Sequence, residues 1–122
     1  MKTKQFTEKE IKQAVDLIQA GELVAFPTDT VYGLGADATN EAAVEKVFTA
    51  KGRPKNRPIN VLISQPEDIL NYTKNTTDEA MALAKAFWPG PFTLILESAG
   101  QLSPIITAGK DTVGLRIPEN DL

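Results

Sequence analysis

The 122-residue sequence predicts a mixed α/β domain, a sheet flanked by helices. Three observations predict it. Apolar residues recur at helical spacing in three stretches, 11–18, 43–48 and 80–87. Four short apolar runs, 23–26, 59–63, 92–96 and 112–117, have the length and composition of strands. The two patterns interleave as helix, strand, helix, strand, helix, strand, strand, which is the order of helices packed on a sheet.

Each element has its own punctuation. Thr7 and Glu10 form the S/T-x-x-E pattern of a capping box, Ile11, Ala14, Val15, Leu17 and Ile18 follow, and Gly21 supplies the stop. Leu23 to Phe26 reads as a buried strand cut off by Pro27. Asn40 opens a second helix with Ala43, Val44, Val47 and Phe48 on one face, ending near Lys51-Gly52. Ile59 to Ile63 reads as a second buried strand. Thr77 caps a third helix with Ala80, Leu83, Ala84 and Phe87 inward, and Pro89-Gly90-Pro91 ends it. Phe92 to Leu96 and Thr112 to Ile117 are the third and fourth strands, the last closed by Pro118. There is no repeat, low-complexity tract or linker, so residues 1–122 are expected to form a single domain.

Composition narrows the chemistry. There is no cysteine and no histidine, which excludes disulfides, thiolate metal sites, cysteine nucleophiles and the usual general base. No apolar run reaches the ~18 residues of a membrane span, and the first residues lack the apolar stretch of a signal peptide, so a cytoplasmic protein is expected. The net charge of −3 hides an asymmetry. Lys51, Arg53, Lys55 and Arg57 fall within seven residues, leaving nine basic against sixteen acidic side chains elsewhere. Positive charge gathered in one place suits a locally held anion.

Three segments carry candidate chemistry. Residues 27–35, Pro-Thr-Asp-Thr-Val-Tyr-Gly-Leu-Gly, join two hydroxyls, a carboxylate, a phenol and two glycines directly after the first strand. Glycines let a backbone approach a small polar ligand, and the alternative is a tight connection in which Asp29 and the threonines bond their own backbone. Both readings stay open. Residues 51–58 alternate cations with other residues and contain Pro54 and Pro58. Prolines favour an extended backbone, whose alternation would send all four cations to one side, so an anion site is expected over a merely solvated loop. In 112–118, Arg116 stands inside an apolar strand on the face of Thr112 and Gly114, where it needs a partner or an open cleft. Gly114 beside it leaves room for a ligand. Trp88-Pro89-Gly90-Pro91 is expected to be structural, an aromatic packed over the core while the chain reverses.

Four segments together, PTDTVYGLG (27–35), KGRPKNRPI (51–59), FWPGPFTLIL (87–96) and TVGLRIP (112–118), resemble in order and spacing the YrdC-like family, specifically its threonylcarbamoyl-adenylate synthase branch. The resemblance implies a YrdC-like twisted mixed sheet flanked by helices. It implies an enzyme that joins L-threonine, bicarbonate or CO2, and ATP into threonylcarbamoyl-AMP for tRNA modification, with downstream tRNA-modification proteins as partners. By motif, Lys51, Arg53 and Arg57 would line the triphosphate, with Lys51 and Arg53 in the catalytic role, and Thr112 would touch the nucleotide. Thr30, Tyr32 and Arg116 would hold L-threonine, and Thr28 would shape the same pocket. Mg2+ would arrive with the nucleotide, and no protein residue is assigned as its ligand. Complete members of the family continue to a Ser-x-Asn segment, which this sequence does not contain. A domain lacking its C-terminal part, able to bind nucleotide weakly and to make little product, is therefore expected.

Two other functions compete. A double-stranded RNA or tRNA-binding module without catalysis would use a basic concave surface, but one compact cluster on an acidic chain with few aromatics is a poor platform for bases. A carbamoyl-adenylate site like that of hydrogenase-maturation carbamoyltransferases belongs to longer chains with zinc-binding cysteines, which are absent here.

Overall fold

A computed structural model describes residues 3, 5–28 and 32–119. The helices start where the sequence supplies acceptors for their first N–H groups. A 3-10 turn at Glu8–Glu10 opens on the capping box, with the Thr7 N–H donating to Glu10 Oε1 at 3.1 Å, and leads into α1, Ile11–Gln19. Asn40 Oδ1 accepts from the Ala43 N–H at 3.2 Å to begin α2, Glu41–Lys51. That helix stops at Gly52, whose φ of 62° lies in the left-handed region glycine tolerates. Another 3-10 turn, Pro66–Asp68, and a single turn of helix, α3 at Ile69–Tyr72, precede α4, Asp78–Phe87, capped by Thr77. A last turn of helix, α5, spans Pro104–Thr107.

Five strands form two sheets among the described residues. β1 (Val24–Pro27) and β2 (Tyr32–Gly35) make an antiparallel hairpin in the register Pro27↔Tyr32 to Val24↔Gly35. β3 (Val61–Leu62), β4 (Leu94–Glu97) and β5 (Thr112–Arg116) form a mixed sheet in the order β3-β5-β4. β3 runs parallel to β5, and β4 antiparallel to it. The mixed α/β expectation therefore holds.

The second sheet has one closed and one open face. Val61, Leu94, Val113 and Leu115 are buried and join Val44, Phe48, Ile69 and Trp88 in the core. Leu62 and Ile95 point the other way and are 42% and 69% exposed. Strand alternation places Thr112, Gly114 and Arg116 on that open side as well.

Several expectations are corrected. Residues 59–63 are not buried on both faces, because Asn60 and Leu62 are exposed and only Val61 and Leu62 pair as strand. β1 is half-buried rather than buried, since among the described residues it pairs with a single hairpin strand. β2 falls where a loop was expected. Its glycines lower strand propensity but are what lets the Phe26 ring lie over it: a Cβ on Gly35 would collide with Phe26 Cε1, and one on Gly33 would meet Phe26 Cε2 at 3.4 Å. On α4, Ala80 and Ala84 are buried, whereas Leu83 and Phe87 are 44% and 56% exposed. Trp88 takes the core place expected of Phe87, and its indole N–H donates to Phe92 O at 2.6 Å. Phe87 instead stacks obliquely on Phe92, with ring centroids 5.0 Å apart. The Trp-Pro-Gly-Pro turn is structural, as its sequence suggested.

Candidate functional site

The basic segment is not extended. Lys51 is the last residue of α2, Gly52 caps it, and the Arg53 N–H bonds back to Phe48 O at 3.0 Å. A turn follows, closed by the Arg57 N–H on Pro54 O at 3.1 Å. Prolines bias their own and the preceding residue, but the left-handed Gly52 reverses the chain first and the turn forms between the prolines.

This geometry divides the four cations by task. Arg53 folds over its own loop, donating from Nη2 to Pro58 O at 2.6 Å and from Nε to Arg57 O at 3.4 Å. Lys55 pairs with Glu45 at 3.5 Å across exposed surface, a contact worth little in water. The Lys51 and Arg57 side chains are exposed and make no hydrogen bond or ion pair within the described residues. They are the two cations of the segment that can turn wholly toward an anion, while Arg53 can offer only its remaining N–H groups.

The parallel register of β3 and β5 places this segment. Val61 lies beside Leu115 and Leu62 beside Arg116, so the chain leading into β3 approaches from the Thr112 end of β5. Thr112 and Arg116 share the open face and stand four residues apart, about 13 Å at ~3.3 Å per residue. The chain that leaves the basic segment thus enters β3 from the Thr112 end of β5, and Arg116 marks the other end.

Between them the surface over Gly114 is not empty. A Cβ there would collide with Asn60 Oδ1 and meet Thr93 Cγ2 at 3.4 Å, and Asn60 Nδ2 reaches Thr93 Oγ1 at 3.5 Å. The room that Gly114 leaves is taken by an amide side chain, which itself offers a donor and an acceptor to the open face. Asn60 and Thr93 were not singled out from the sequence. The signal was present: each is the polar residue in an alternating run, Asn60 before Val61 and Thr93 before Leu94.

Arg116 is half-buried and donates from Nε to Gly90 O at 3.2 Å. Thr28 follows the last residue of β1 and Tyr32 is the first of β2; Tyr32 is 77% exposed and Thr28 half-buried. Thr30 lies outside the described residues.

A cleft of about 430 Å3 opens beside the Thr112 end of β5, lined among others by Lys74, Glu97, Ser98, Lys110 and Asp111. Glu97 is the cross-strand neighbour of Thr112 and pairs with Lys74 at 3.8 Å. Its two lysines are matched by two carboxylates, so the cleft carries no surplus of positive charge. Among the described residues no group of three or more His, Cys, Asp or Glu could hold a metal ion. No described helix is long and apolar enough to cross a membrane.

Known proteins share both sequence and geometry. The threonylcarbamoyl-AMP synthases of Pyrococcus abyssi and Bacillus subtilis are each 46% identical to this chain over 115 and 116 residues, 94% of the chain in both cases. The chain spans about a third, 34%, of the length of either relative. The crystal structure of P. abyssi Sua5 complexed with L-threonine superposes with a TM-score of 0.90 at 45% identity, covering 97% of this chain and 35% of that one. The pattern of the Sua5/YciO/YrdC family, described as Telomere recombination, matches residues 16–122. With the mixed sheet and its open face in place, that match is decisive: the chain belongs to the Sua5/YciO/YrdC family.

Proposed function

We propose that the chain carries a nucleotide- and threonine-binding face for the synthesis of threonylcarbamoyl-AMP from L-threonine, bicarbonate or CO2, and ATP. In this reaction the threonine nitrogen is carboxylated, a carbamate oxygen attacks the α-phosphorus of ATP, and pyrophosphate leaves. Two anions must approach, so the requirement is cancelled repulsion and alignment rather than a proton-transfer group. That suits a chain without histidine or cysteine.

The observation that carries this reading is the parallel β3–β5 register, by which the chain leaving the basic segment enters β3 from the Thr112 end of β5, with Arg116 at the other. Lys51 and Arg57 would meet the triphosphate directly, and Arg53 would add its remaining N–H groups while shaping the loop. Thr112 would contact the nucleotide. Arg116 would take the threonine carboxylate through its planar fork, with Thr30 and Tyr32 on the same substrate and Thr28 at the pocket wall. Similarity to a protein crystallised with L-threonine supports the assignment. Mg2+ would arrive with the nucleotide, held mostly by its phosphates and water. tRNA-modification proteins would then pass the threonylcarbamoyl group to tRNA.

Because the chain spans about a third of its relatives, binding tests it most directly. Calorimetry is expected to show ATP and L-threonine each binding, and any pyrophosphate release is expected to require both threonine and bicarbonate. A chain that binds neither ligand overturns the reading.

A further inference from the structure

Arg116 does not reach the open face unsupported. The turn after α4 meets the end of β5 through two backbone groups of one residue. The Gly90 N–H donates to Ile117 O at 2.9 Å, and Gly90 O accepts from Arg116 Nε at 3.2 Å. The same carbonyl also accepts the Phe92 N–H at 2.8 Å, and Phe92 O takes the Trp88 indole N–H at 2.6 Å. Trp88 is buried at 7% exposure and anchors the turn in the core. The carbonyl that meets Arg116 is thus fixed from both sides.

Gly90 is the residue this arrangement requires. It is buried, with φ at 152°, a backbone conformation L side chains rarely adopt, and a Cβ there would meet Phe87 O at 3.2 Å. A side chain at this position would force the peptide to rotate and carry the carbonyl away from Nε. The guanidinium is planar, so holding Nε–H fixes the plane in which the two Nη groups lie.

We infer that Gly90 is a positioning residue for Arg116, its carbonyl setting the orientation in which the guanidinium fork faces a substrate carboxylate. The inference deepens the proposed function and rests on Arg116 as the threonine anchor. The Trp88–Phe92 turn is then more than a chain reversal: it is the support behind the anchor.

Two readouts separate the inference from that reading. In 15N-edited NMR the Arg116 Nε–H, assigned by its loss in Arg116→Gln, is expected to exchange with water at least tenfold more slowly than in free arginine. Exchange at the free rate overturns the inference without any variant having to fold. Gly90→Ala is expected to speed that exchange and to weaken L-threonine binding about tenfold, the size of one ordinary hydrogen bond. In an Arg116→Gln background the same change is expected to cost threonine affinity nothing further. An equal loss in both backgrounds means Gly90 acts elsewhere and sinks the inference. If Gly90→Ala frees Nε–H while Arg116→Gln leaves threonine affinity unchanged, the positioning stands and Arg116 as carboxylate anchor falls.

Discussion

Arg53 Nη2 donates to Pro58 O at 2.6 Å, closing the loop that carries the basic cluster with one of the cluster's own members. The side chain is only half-buried, but the contact spans five residues and sits where the chain turns from α2 toward β3. Arg53 therefore has a local task besides any contact with phosphate.

Arg53→Lys keeps the charge but cannot reach two carbonyls as a fork. It is expected to loosen the 53–58 turn, seen as faster amide exchange at Arg57, and to weaken ATP binding despite unchanged charge. ATP affinity and exchange both equal to wild type would show the clasp to be irrelevant.

Lys51 and Arg57 have no such local task among the described residues. Lys51→Ala and Arg57→Ala are each expected to leave thermal stability within about 0.5 kcal/mol, as for exposed positions. Each is expected to lower ATP affinity by roughly 1.5–3 kcal/mol, the range for hydrogen bonds to charged groups. Calorimetry beside thermal denaturation separates the two effects. Unchanged ATP affinity in both variants would reduce the segment to a solvated loop.

Arg116→Lys tests geometry against charge at the other end of the face. A point charge on a flexible stem cannot reproduce the Nε bond to Gly90 O and a bidentate carboxylate contact together. L-threonine affinity is expected to fall several-fold while ATP affinity is unaltered. Equal threonine affinity in the two proteins would remove Arg116 from the substrate site.

The legible parts of this fold were those governed by local rules. Asn40 and Thr77 accept N–H groups as their helix-capping roles require, and Ala43, Val44, Val47 and Phe48 bury the face their spacing defines. Val113 and Leu115 are buried while Thr112 and Arg116 are not, as strand alternation demands. What misled was context at a distance. Gly33 and Gly35 look like loop residues until Phe26, across the hairpin, needs the space. Phe87 looks like core until Trp88 fills the core and leaves it to Phe92. The basic segment looks extended because proline is a local signal, yet the turn within it is held by the Arg53 side chain. At the site, the residue types were readable from 51–57 and 112–116, but Asn60 over Gly114 and Gly90 behind Arg116 depend on which strands pair.

Gly114 gives the sharpest test of how the open face is built. A Cβ there would collide with Asn60 Oδ1, while its next contact, Thr93 Cγ2 at 3.4 Å, is ordinary packing. The obstacle is the end of a side chain rather than backbone, so the amide can swing away at the loss of its contact with Thr93 Oγ1, worth about 1 kcal/mol at most at a separation of 3.5 Å. Gly114→Ala is therefore expected to destabilise the fold by about 1 kcal/mol, and Asn60→Ala to relieve that cost, since the double variant removes the clash. Denaturant unfolding of the two single variants and the double variant measures the coupling. On the open face the effects should differ in kind: Gly114→Ala displaces the Asn60 amide and adds a methyl between the Thr112 and Arg116 ends, so ligand binding should weaken even where stability is restored. Additive destabilisation in the double variant would mean Asn60 does not lie over Gly114, and this account of the strand's open face would fail.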